Sequence, residues 1–501
     1  MYPFTFLQRL SRKYKRPHST SEFSRSWSTL IIPIVACIGT ACVQDSTSPP
    51  ITSLGETPGI VRHVSNDDVL QGTLSTEELL QIGHDIFTAS LNTLDGSGNS
   101  KTRLLQETTD QAALLSGFNR ISGPDANACS GCHNMPTTGG GGDNVSNVFG
   151  LAHRLPDVNF DAGAGDLLES LTLRTVGNER GTISMFGSGL IELLAREMTN
   201  ELHAIKKAAV DKASVTGLPV TVAIETKGVS FGKITVWPDG LIDASKTEGI
   251  DEDLIVKPFG QKGVYTSLRE FTLDALELHH GLQGEERVGS NNDADQDGVP
   301  NELTNADTTA LTLFQASLPP PFMSEPTSRV LQSYVSRGQT LFSSIGCAVC
   351  HKPFLELKSP IYSEPNAFNP PGTLSTYAIP DSYRIDLSQN ASPTTVRRTE
   401  QGTYLVYAFT DLKRHDMGPI LANETIEQRF VESPVWLTRK LWGIMSEPPF
   451  LHHGRATLLE EAIAAHGGES ESARLNYNGL SSDDKVALIE FLKTFQTSVL
   501  P

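Results

Sequence analysis

The sequence predicts a mainly α fold in which two related helical domains flank a small antiparallel β insertion and an acidic loop. Three observations predict it. The pattern Cys-x-x-Cys-His occurs twice, at residues 129–133 and 347–351, and a helix ending in Gly-x-x-apolar-Phe precedes each copy, at residues 83–87 and 338–342. Between the copies the hydrophobic period changes from helical to strand-like over residues 219–237.

Each Cys-x-x-Cys-His copy is typical of a covalent c-type haem site. The two thiols are spaced to meet both vinyl groups of one porphyrin on a single helical turn, and the next histidine lies under the iron as its proximal ligand. A zinc site would need two further ligands at a workable spacing, and a redox pair would leave the repeated histidine unexplained. We therefore predict two covalently bound haems. The predicted attachment and proximal residues are Cys129, Cys132 and His133 for the first haem and Cys347, Cys350 and His351 for the second.

Local signals place the helices. Ser75 and Glu78 form a capping box that opens a helix with an apolar face as far as Phe87. A period of 3.6 predicts a long helix over residues 188–213, and Ser481 caps a final helix. A C-terminal helix that crosses an N-terminal one is how cytochrome c domains close over their haem, so we expect two cytochrome c-like haem domains.

A chain of 501 residues is too long for one compact core, so we expect it to divide. The predicted segments are a signal peptide (1–42), a linker (43–72), an N-terminal haem domain (73–215), the β insertion with the acidic loop (216–325) and a C-terminal haem domain (326–501).

The N-terminus predicts export. Residues 1–26 are basic, and the apolar run of residues 30–42 is too short to span a membrane but has the length of a signal-peptide core. The run ends on small residues and a cysteine, which resembles the lipobox of a bacterial lipoprotein with Cys42 or Cys37 as the lipidated residue. An ordinary cleaved signal is the alternative. Either way we expect the bacterial periplasm, with a lipid anchor in the first case.

The charge and the cysteines limit the partners and the sources of stability. A net charge of −18 argues against nucleic acid or an anionic membrane surface, and it would steer a positively charged electron-donor protein towards the chain. Of the six cysteines, four lie in the haem motifs and two in the export signal. No pair is left for a structural disulfide.

The acidic loop begins like a calcium-binding loop. Asp293, Asp295 and Asp297 stand at alternate positions before Gly298, which is the first half of an EF-hand pattern. The twelfth position is Thr304 instead of a bidentate Glu. Calcium binding and a solvated acidic turn are therefore equally favoured.

Two Cys-x-x-Cys-His domains on one exported chain resemble the bacterial di-haem cytochrome c peroxidases, and more closely the related di-haem oxidoreductase family. Three stretches carry the resemblance. They are residues 128–136 around the first motif, the His-Asp-Met-Gly-Pro segment at 415–419, and Leu-His-His-Gly-Arg-Ala at 451–456 followed by His-Gly-Gly at 466–468. His453 stands where the family usually has Asp.

The resemblance implies a peroxidase-like oxidoreductase that passes electrons between two haems, and either reduces peroxide or oxidises a partner. The alternative is a non-enzymatic di-haem electron carrier or redox sensor. A small redox protein is the expected partner in both cases, with hydrogen peroxide as the substrate in the first.

The distal iron ligands do not follow from spacing. The family motif favours Met417 for the second haem, with His415 and Met445 as competitors. His153 is a candidate distal ligand or proton-transfer group at the first haem, and His415 is the other catalytic candidate.

Overall fold

A computed structural model of the chain describes residues 55–98, 126–142, 145–148, 178–377, 379–424 and 427–497. The predicted export signal with Cys37 and Cys42 lies outside the described residues, and so does His153. From residue 56 onward the described residues belong to one compact unit. Within them, no helix is both long enough and apolar enough to cross a membrane.

Helices supply the largest elements. The α-helices of the described residues are α1 (Asn66–Gln71), α2 (Thr76–Thr88), α3 (Cys129–Cys132), α4 (Ser188–Thr216), α5 (Leu268–Ala275), α6 (Glu285–Val288), α7 (Asn305–Ser317), α8 (Arg329–Ser344), α9 (Leu459–Ala464), α10 (Glu471–Asn478) and α11 (Ser482–Leu492). A π-helical turn, Leu276–His280, continues α5, and 3₁₀ turns span Cys347–Val349, Asp381–Tyr383, Ile444–Ser446 and Gly468–Ser470.

The strands are short and antiparallel. They are β1 (Val145–Val148), β2 (Asn178–Gly181), β3 (Val220–Thr226), β4 (Val229–Val236), β5 (Ile242–Asp243), β6 (Phe322–Met323), β7 (Leu355–Leu357), β8 (Ile361–Tyr362), β9 (Ile385–Asp386), β10 (Val396–Arg398), β11 (Tyr404–Val406), β12 (Arg414–Asp416), β13 (Val435–Leu437) and β14 (Phe495–Gln496). They pair as β1-β2, β3-β4-β5, β10-β11-β7, β12-β13, β14-β6 and β8-β9.

The fold is therefore mixed helix and strand, which corrects the prediction of a mainly α chain. The predicted antiparallel insertion is present as β3 and β4, which pair from Val220 opposite Val236 to Thr226 opposite Val229, with a register shift between Ala223 and Glu225. The strands that the sequence analysis missed are two to four residues long, and most of them lie in the C-terminal half. Such strands are too short to show an alternating pattern, and a partner distant in the sequence decides whether they form.

The local helix signals are correct. Ser75 accepts from the backbone NH of Glu78 at the start of α2, while the Glu78 carboxylate accepts from the backbone NH of Ser75, as in a capping box. Ser481 caps α11 through Asp484, and the long helix α4 ends at Thr216, three residues beyond its predicted end. Folded structure also begins before α2, because α1 lies in the segment predicted as a linker and buries Val69 completely.

The two haem motifs share one helix-crossing geometry. Helix α2 packs across α7, and α8 packs across α11. Gly83 lies at the first crossing against the Ala310 carbonyl group, and Gly338 lies at the second against Ala487. The diverged internal duplication is thus visible in the packing. Helix α7, which packs on α2, lies within residues 216–325, the segment predicted as the insertion. The boundaries of the two haem domains stay a prediction.

Candidate functional site

The two Cys-x-x-Cys-His segments adopt closely similar turns. Cys129–Cys132 forms one turn of α-helix, and the backbone NH of His133 donates to the Cys129 carbonyl oxygen at 2.9 Å. Cys347–Val349 forms a 3₁₀ turn, and the His351 NH donates to the Cys347 oxygen at 3.0 Å. Neither segment forms a disulfide bond, and burial raises the pKa of Cys129 to about 12 and that of Cys347 to about 11. Both thiols are therefore protonated at pH 7, which disfavours a role as the nucleophile in redox exchange.

The two motif histidines are oriented in the same way. The Nδ1 atom of His133 lies 3.2 Å from the carbonyl oxygen of Gly140, and Nδ1 of His351 lies 3.2 Å from that of Phe409. A carbonyl oxygen only accepts, so Nδ1 carries the proton and Nε2 keeps its lone pair. Burial lowers the pKa of both histidines to about 4, which keeps them neutral at pH 7. Each imidazole is therefore ready to bind a metal through Nε2.

A phenylalanine stands beside each of these histidines. Phe87 at the end of α2 and His133 have ring centres 6.1 Å apart at 52°, and Phe342 on α8 and His351 have ring centres 6.4 Å apart at 51°. These are the phenylalanines of the repeated Gly-x-x-apolar-Phe pattern. The repeat thus places the same aromatic contact at both sites.

The glycine run after the first motif folds back onto that motif. A Cβ atom at Gly140 would overlap the carbonyl oxygen of Met135, and one at Gly142 would overlap that of Cys132. This close approach presents the Gly140 oxygen to His133. The glycines are therefore required by the packing around the histidine.

An apolar cavity of about 210 Å³ opens beside the first motif. Cys129, Cys132 and His133 line it on one side. The apolar side chains of its walls include Phe87, Met185, Ile191, Phe259, Leu268, Leu276, Leu311, Leu412 and Leu437. The cavity joins the N-terminal motif to segments of the insertion and of the C-terminal third.

The charged side chains on this cavity are all basic. Arg180, Arg439 and Lys440 line it, and no carboxylate does among the residues that the structure describes. Lys440 donates to the Ser184 carbonyl oxygen at 2.8 Å, and burial lowers its pKa to about 8. Arg180 and Arg439 also pair with Glu424 and Glu447, so Lys440 is the lining cation that most favours an anionic guest. Two thiols, a neutral histidine, apolar walls and basic groups are the set that a haem with its propionates needs, so the residues fit this cofactor.

His279 and His280 were missed by the sequence analysis. Both line the cavity from the π-helical turn that follows α5. His280 is buried, with Nδ1 2.6 Å from the Ala126 carbonyl oxygen and Nε2 3.7 Å from the Cys129 sulfur. Their place in a π-helical turn, a feature frequent at functional sites, becomes visible only in the fold.

The second motif is surrounded by a different structure. Phe342, Phe409 and Phe491 belong to a separate apolar cluster, and Met445 packs against it. His466 lies next to His351, with ring centres 6.4 Å apart and an angle of 49° between the rings. His466 is the histidine of the His-Gly-Gly segment that carries part of the family resemblance.

His415 is held by two carboxylates. Its Nε2 lies 2.8 Å from Asp411 and its Nδ1 lies 2.7 Å from Glu469. Burial is the largest single effect and lowers the pKa of His415, but hydrogen bonds and charges from Asp411 and Cys350 together outweigh it, and the pKa rises to about 11. An imidazole with both nitrogens bound to carboxylates has no lone pair for iron, which makes His415 a poor ligand. Met417 is half-buried and its sulfur lies 3.9 Å from the Ser470 hydroxyl, so as an iron ligand it stays a prediction.

The Leu-His-His-Gly-Arg-Ala segment builds an aromatic and ionic cluster. His452 stacks on Trp436 with ring centres 3.6 Å apart, and burial lowers its pKa to about 2. Lys262 covers the same indole at 3.6 Å and pairs with Glu424, which also pairs with the cavity residue Arg180. The cluster therefore joins the family segment to the cavity of the first motif.

The acidic loop gathers its carboxylates. Oxygen atoms of Asp293, Asp295 and Asp297 lie within 4.8 Å of one another. Asp295 is 8% exposed, and its Oδ1 is buried without a hydrogen-bond partner among the described residues. Burial and the charge of Asp297 raise the pKa of Asp295 to about 7, and burial raises that of the adjoining Glu302 to about 9.

These features define the class of protein as a haem oxidoreductase, and the comparisons with known proteins agree. Residues 396–495 match the family described as "Di-haem oxidoreductase, putative peroxidase". The His-Asp-Met-Gly-Pro and His-Gly-Gly segments both lie in this range, so the predicted resemblance is confirmed there. No curated protein matches the chain.

Among the solved structures that match the chain, one aligns with most of its length. It is a chain of hydrazine synthase from Kuenenia stuttgartiensis, pressurised with 20 bar xenon. The two are 14% identical, the alignment covers 89% of this chain and 98% of that one, and the TM-score is 0.34.

Proposed function

We propose that this chain is an exported di-haem c-type oxidoreductase of the peroxidase type, in which the haem attached at Cys129 and Cys132 is the reactive one. The observation that carries the proposal is the repeated orientation of His133 and His351, each with Nδ1 3.2 Å from a backbone carbonyl oxygen. Two thiols precede each histidine. This arrangement, made twice in one chain, serves two haems in two cytochrome c-like domains.

Haem bound at the two motifs supplies electron storage and, where the iron has an open position, a binding place for peroxide. The protein supplies the rest. His133 and His351 would hold the two haems through Nε2, and the Gly140 and Phe409 carbonyl groups fix the orientation of the two rings. The apolar walls of the cavity exclude water from the first site.

The residues that line the cavity would neutralise the cofactor's charge and transfer protons at the first site. Lys440 would neutralise a propionate of the cofactor, whereas Arg180 and Arg439 already pair with Glu424 and Glu447. Reduction of one peroxide to two waters consumes two electrons and two protons, and a small redox protein delivers the electrons singly. His279, on the cavity wall, is our candidate for the group that exchanges protons with the substrate. The acidic surface of the chain, with a net charge of −18, favours a basic donor.

Ligand binding to the iron tests the proposal. The as-isolated and half-reduced protein should show one haem that binds cyanide or peroxide, and peroxide should be consumed when a reduced donor is supplied. His279→Gln should lower the rate of peroxide consumption by about 10²-fold or more and leave the haem content unchanged. Half-buried His84, which does not line the cavity, offers the matched control His84→Gln. Two low-spin haems at every redox level, without peroxide turnover, would instead support the alternative of an electron carrier or redox sensor.

We also propose that the acidic loop binds calcium. The buried, unpartnered Oδ1 of Asp295 supports this, because a carboxylate oxygen without a donor is costly unless a proton or a cation occupies it. Asp293 and Asp297 supply further oxygen ligands. The loop leads directly into α7, the helix that crosses α2, so a bound ion would brace the first haem domain.

Export and anchoring complete the proposal. The basic N-terminus, the apolar run and the following polar segment support a lipoprotein signal with Cys42 as the lipidated residue, or Cys37 in its place. Cys42→Ser should release the protein from the membrane fraction. Retention of this variant would point to Cys37 or to an anchor of another kind.

A further inference from the structure

We infer that His466 is the second axial ligand of the haem at Cys347 and Cys350, so that this iron is held between two histidines. The inference rests on the proposed haem attachment at this motif. Its partner is the proximal candidate His351, whose ring centre lies 6.4 Å from that of His466.

The separation is the one that a shared metal imposes. Bonds from a metal to an imidazole nitrogen are about 2 Å long, so two histidines on opposite sides of one iron hold their ring centres roughly 6 Å apart. Direct stacking brings ring centres closer, as in the 3.6 Å contact between Trp436 and His452 in the same chain. The pair of His351 and His466 therefore leaves room for a metal atom between the rings. Phe342 lies equally far from His351 but has no atom that could bind a metal, so the spacing is informative only for the pair of histidines.

The hydrogen bonds of His466 leave the required nitrogen available. Its Nδ1 lies 2.8 Å from the carbonyl oxygen of Ala462, as Nδ1 of His351 lies 3.2 Å from that of Phe409. Nδ1 therefore carries the proton in both rings, and both keep the Nε2 lone pair.

Two segments of the family resemblance meet to hold this histidine in place. Gly468 has φ +52°, and a Cβ atom there would overlap the carbonyl oxygen of Asp416. Glu469 accepts from the backbone NH of Asp416 at 3.0 Å and bonds His415 at 2.7 Å. His415 and Glu469 are thus positioning residues, which fix the backbone directly after His466.

The assignment gives the two haems different functions. A second haem closed by two histidines transfers electrons and offers no position to substrate, which leaves substrate binding to the first site. Met417 lies on the same packed segments and is the competing ligand. Thioether ligation raises a haem potential relative to imidazole ligation, so spectra and potentials separate the two candidates.

The test uses the full di-haem protein and two alanine variants. In His466→Ala, the low-spin ferric EPR signal of the second haem should convert to a high-spin signal, and cyanide uptake should rise by one per chain. Met417→Ala should leave both readouts unchanged. In His466→Met the haem should remain low-spin, its potential should rise, and the charge-transfer band of methionine ligation should appear.

The haem content of each variant separates the possible failures. A chain without haem at the second motif would overturn the proposed attachment. With both haems attached, unchanged EPR and cyanide uptake in His466→Ala would overturn the assignment of His466. A high-spin signal in Met417→Ala would transfer the assignment to Met417. If His466→Ala does not fold, His466→Met decides, because an unchanged potential there would also overturn the assignment.

Discussion

Gly83 lies so close to the carbonyl group of Ala310 that a Cβ atom at position 83 would overlap the carbonyl oxygen. Gly338 and Ala487 repeat the relationship at the second site. Both glycines stand inside a helix, where glycine is normally unfavourable relative to alanine. The close crossing of the helices therefore accounts for the glycine in each copy of the repeated pattern.

The helix crossings make the first prediction. Gly83→Ala and Gly338→Ala should each lower the free energy of unfolding by about 1–3 kcal/mol, because the added methyl group forces two backbones apart. Thermal melting of the purified holoprotein measures the effect. Gly479→Ala is the matched control, since a Cβ atom there makes only ordinary contacts of 3.5 Å and 3.7 Å. Equal melting temperatures for all three variants would show that the crossings tolerate a side chain.

Lys440 makes the second prediction. Lys440→Met keeps the length of the side chain and removes its charge from the cavity wall, which should favour the oxidised haem. The reduction potential of the first haem should fall by on the order of tens of millivolts. Potentiometric titration of both haems measures the shift. Lys358→Met, at a side chain that is 65% exposed, should leave both potentials in place. A larger shift at the second haem would contradict the position given to Lys440.

The acidic loop makes the third prediction. Calcium should raise the melting temperature of the wild-type protein, and a chelator should reverse the gain, because the ion binds only the folded loop. Asp295→Asn should abolish this dependence on calcium. Asp67→Asn removes an exposed carboxylate of α1 and should retain it. Equal melting temperatures of the wild-type protein with calcium and with chelator would leave the loop as an acidic turn.

The pair of His63 and Asp307 makes the fourth prediction. Nδ1 of His63 lies 2.8 Å from Asp307, and this hydrogen bond raises the pKa of His63 above its usual 6.5. Folding stabilises the protonated form of His63. The contribution of this ion pair to the free energy of unfolding is therefore complete below about pH 6.5, and it is lost as the pH rises through the raised pKa. The His63 side chain is 42% exposed, which limits the contribution to less than about 1 kcal/mol.

His63→Gln tests this pH dependence. The loss of unfolding free energy in the variant should be larger at about pH 6 than at about pH 8.5. Denaturant titrations of both proteins at the two pH values give the comparison. If the variant lost the same unfolding free energy at both pH values, the charge of His63 would not contribute to stability.

The parts of the structure that the sequence predicted are those specified locally. The turn at Cys129–Cys132, the capping box at Ser75 and the cap of α11 at Ser481 each depend on residues a few positions apart. The spacing of two thiols and a histidine likewise carries its chemistry within five residues. These features were therefore predictable without a fold.

The remaining parts depend on contacts between distant segments. Lys440 donates a hydrogen bond to Ser184, which is distant in the sequence. His279 lies in a π-helical turn, and the hydrophobic periodicity of the sequence does not predict such a turn. His466 lies in a segment that the resemblance had singled out, but its approach to His351 joins residues far apart in the chain. Only the tertiary structure brings such pairs together.

The haem count tests the central claim most directly. The full-length chain, matured in a host that attaches c-type haem, should give two haems per chain in the pyridine haemochrome assay, and both should remain bound after acid–acetone extraction. Replacing Cys347 and Cys350 with alanine should leave one haem, and so should the matched replacement of Cys129 and Cys132. A wild-type count of zero or one, or haem that acid–acetone removes, would contradict the account.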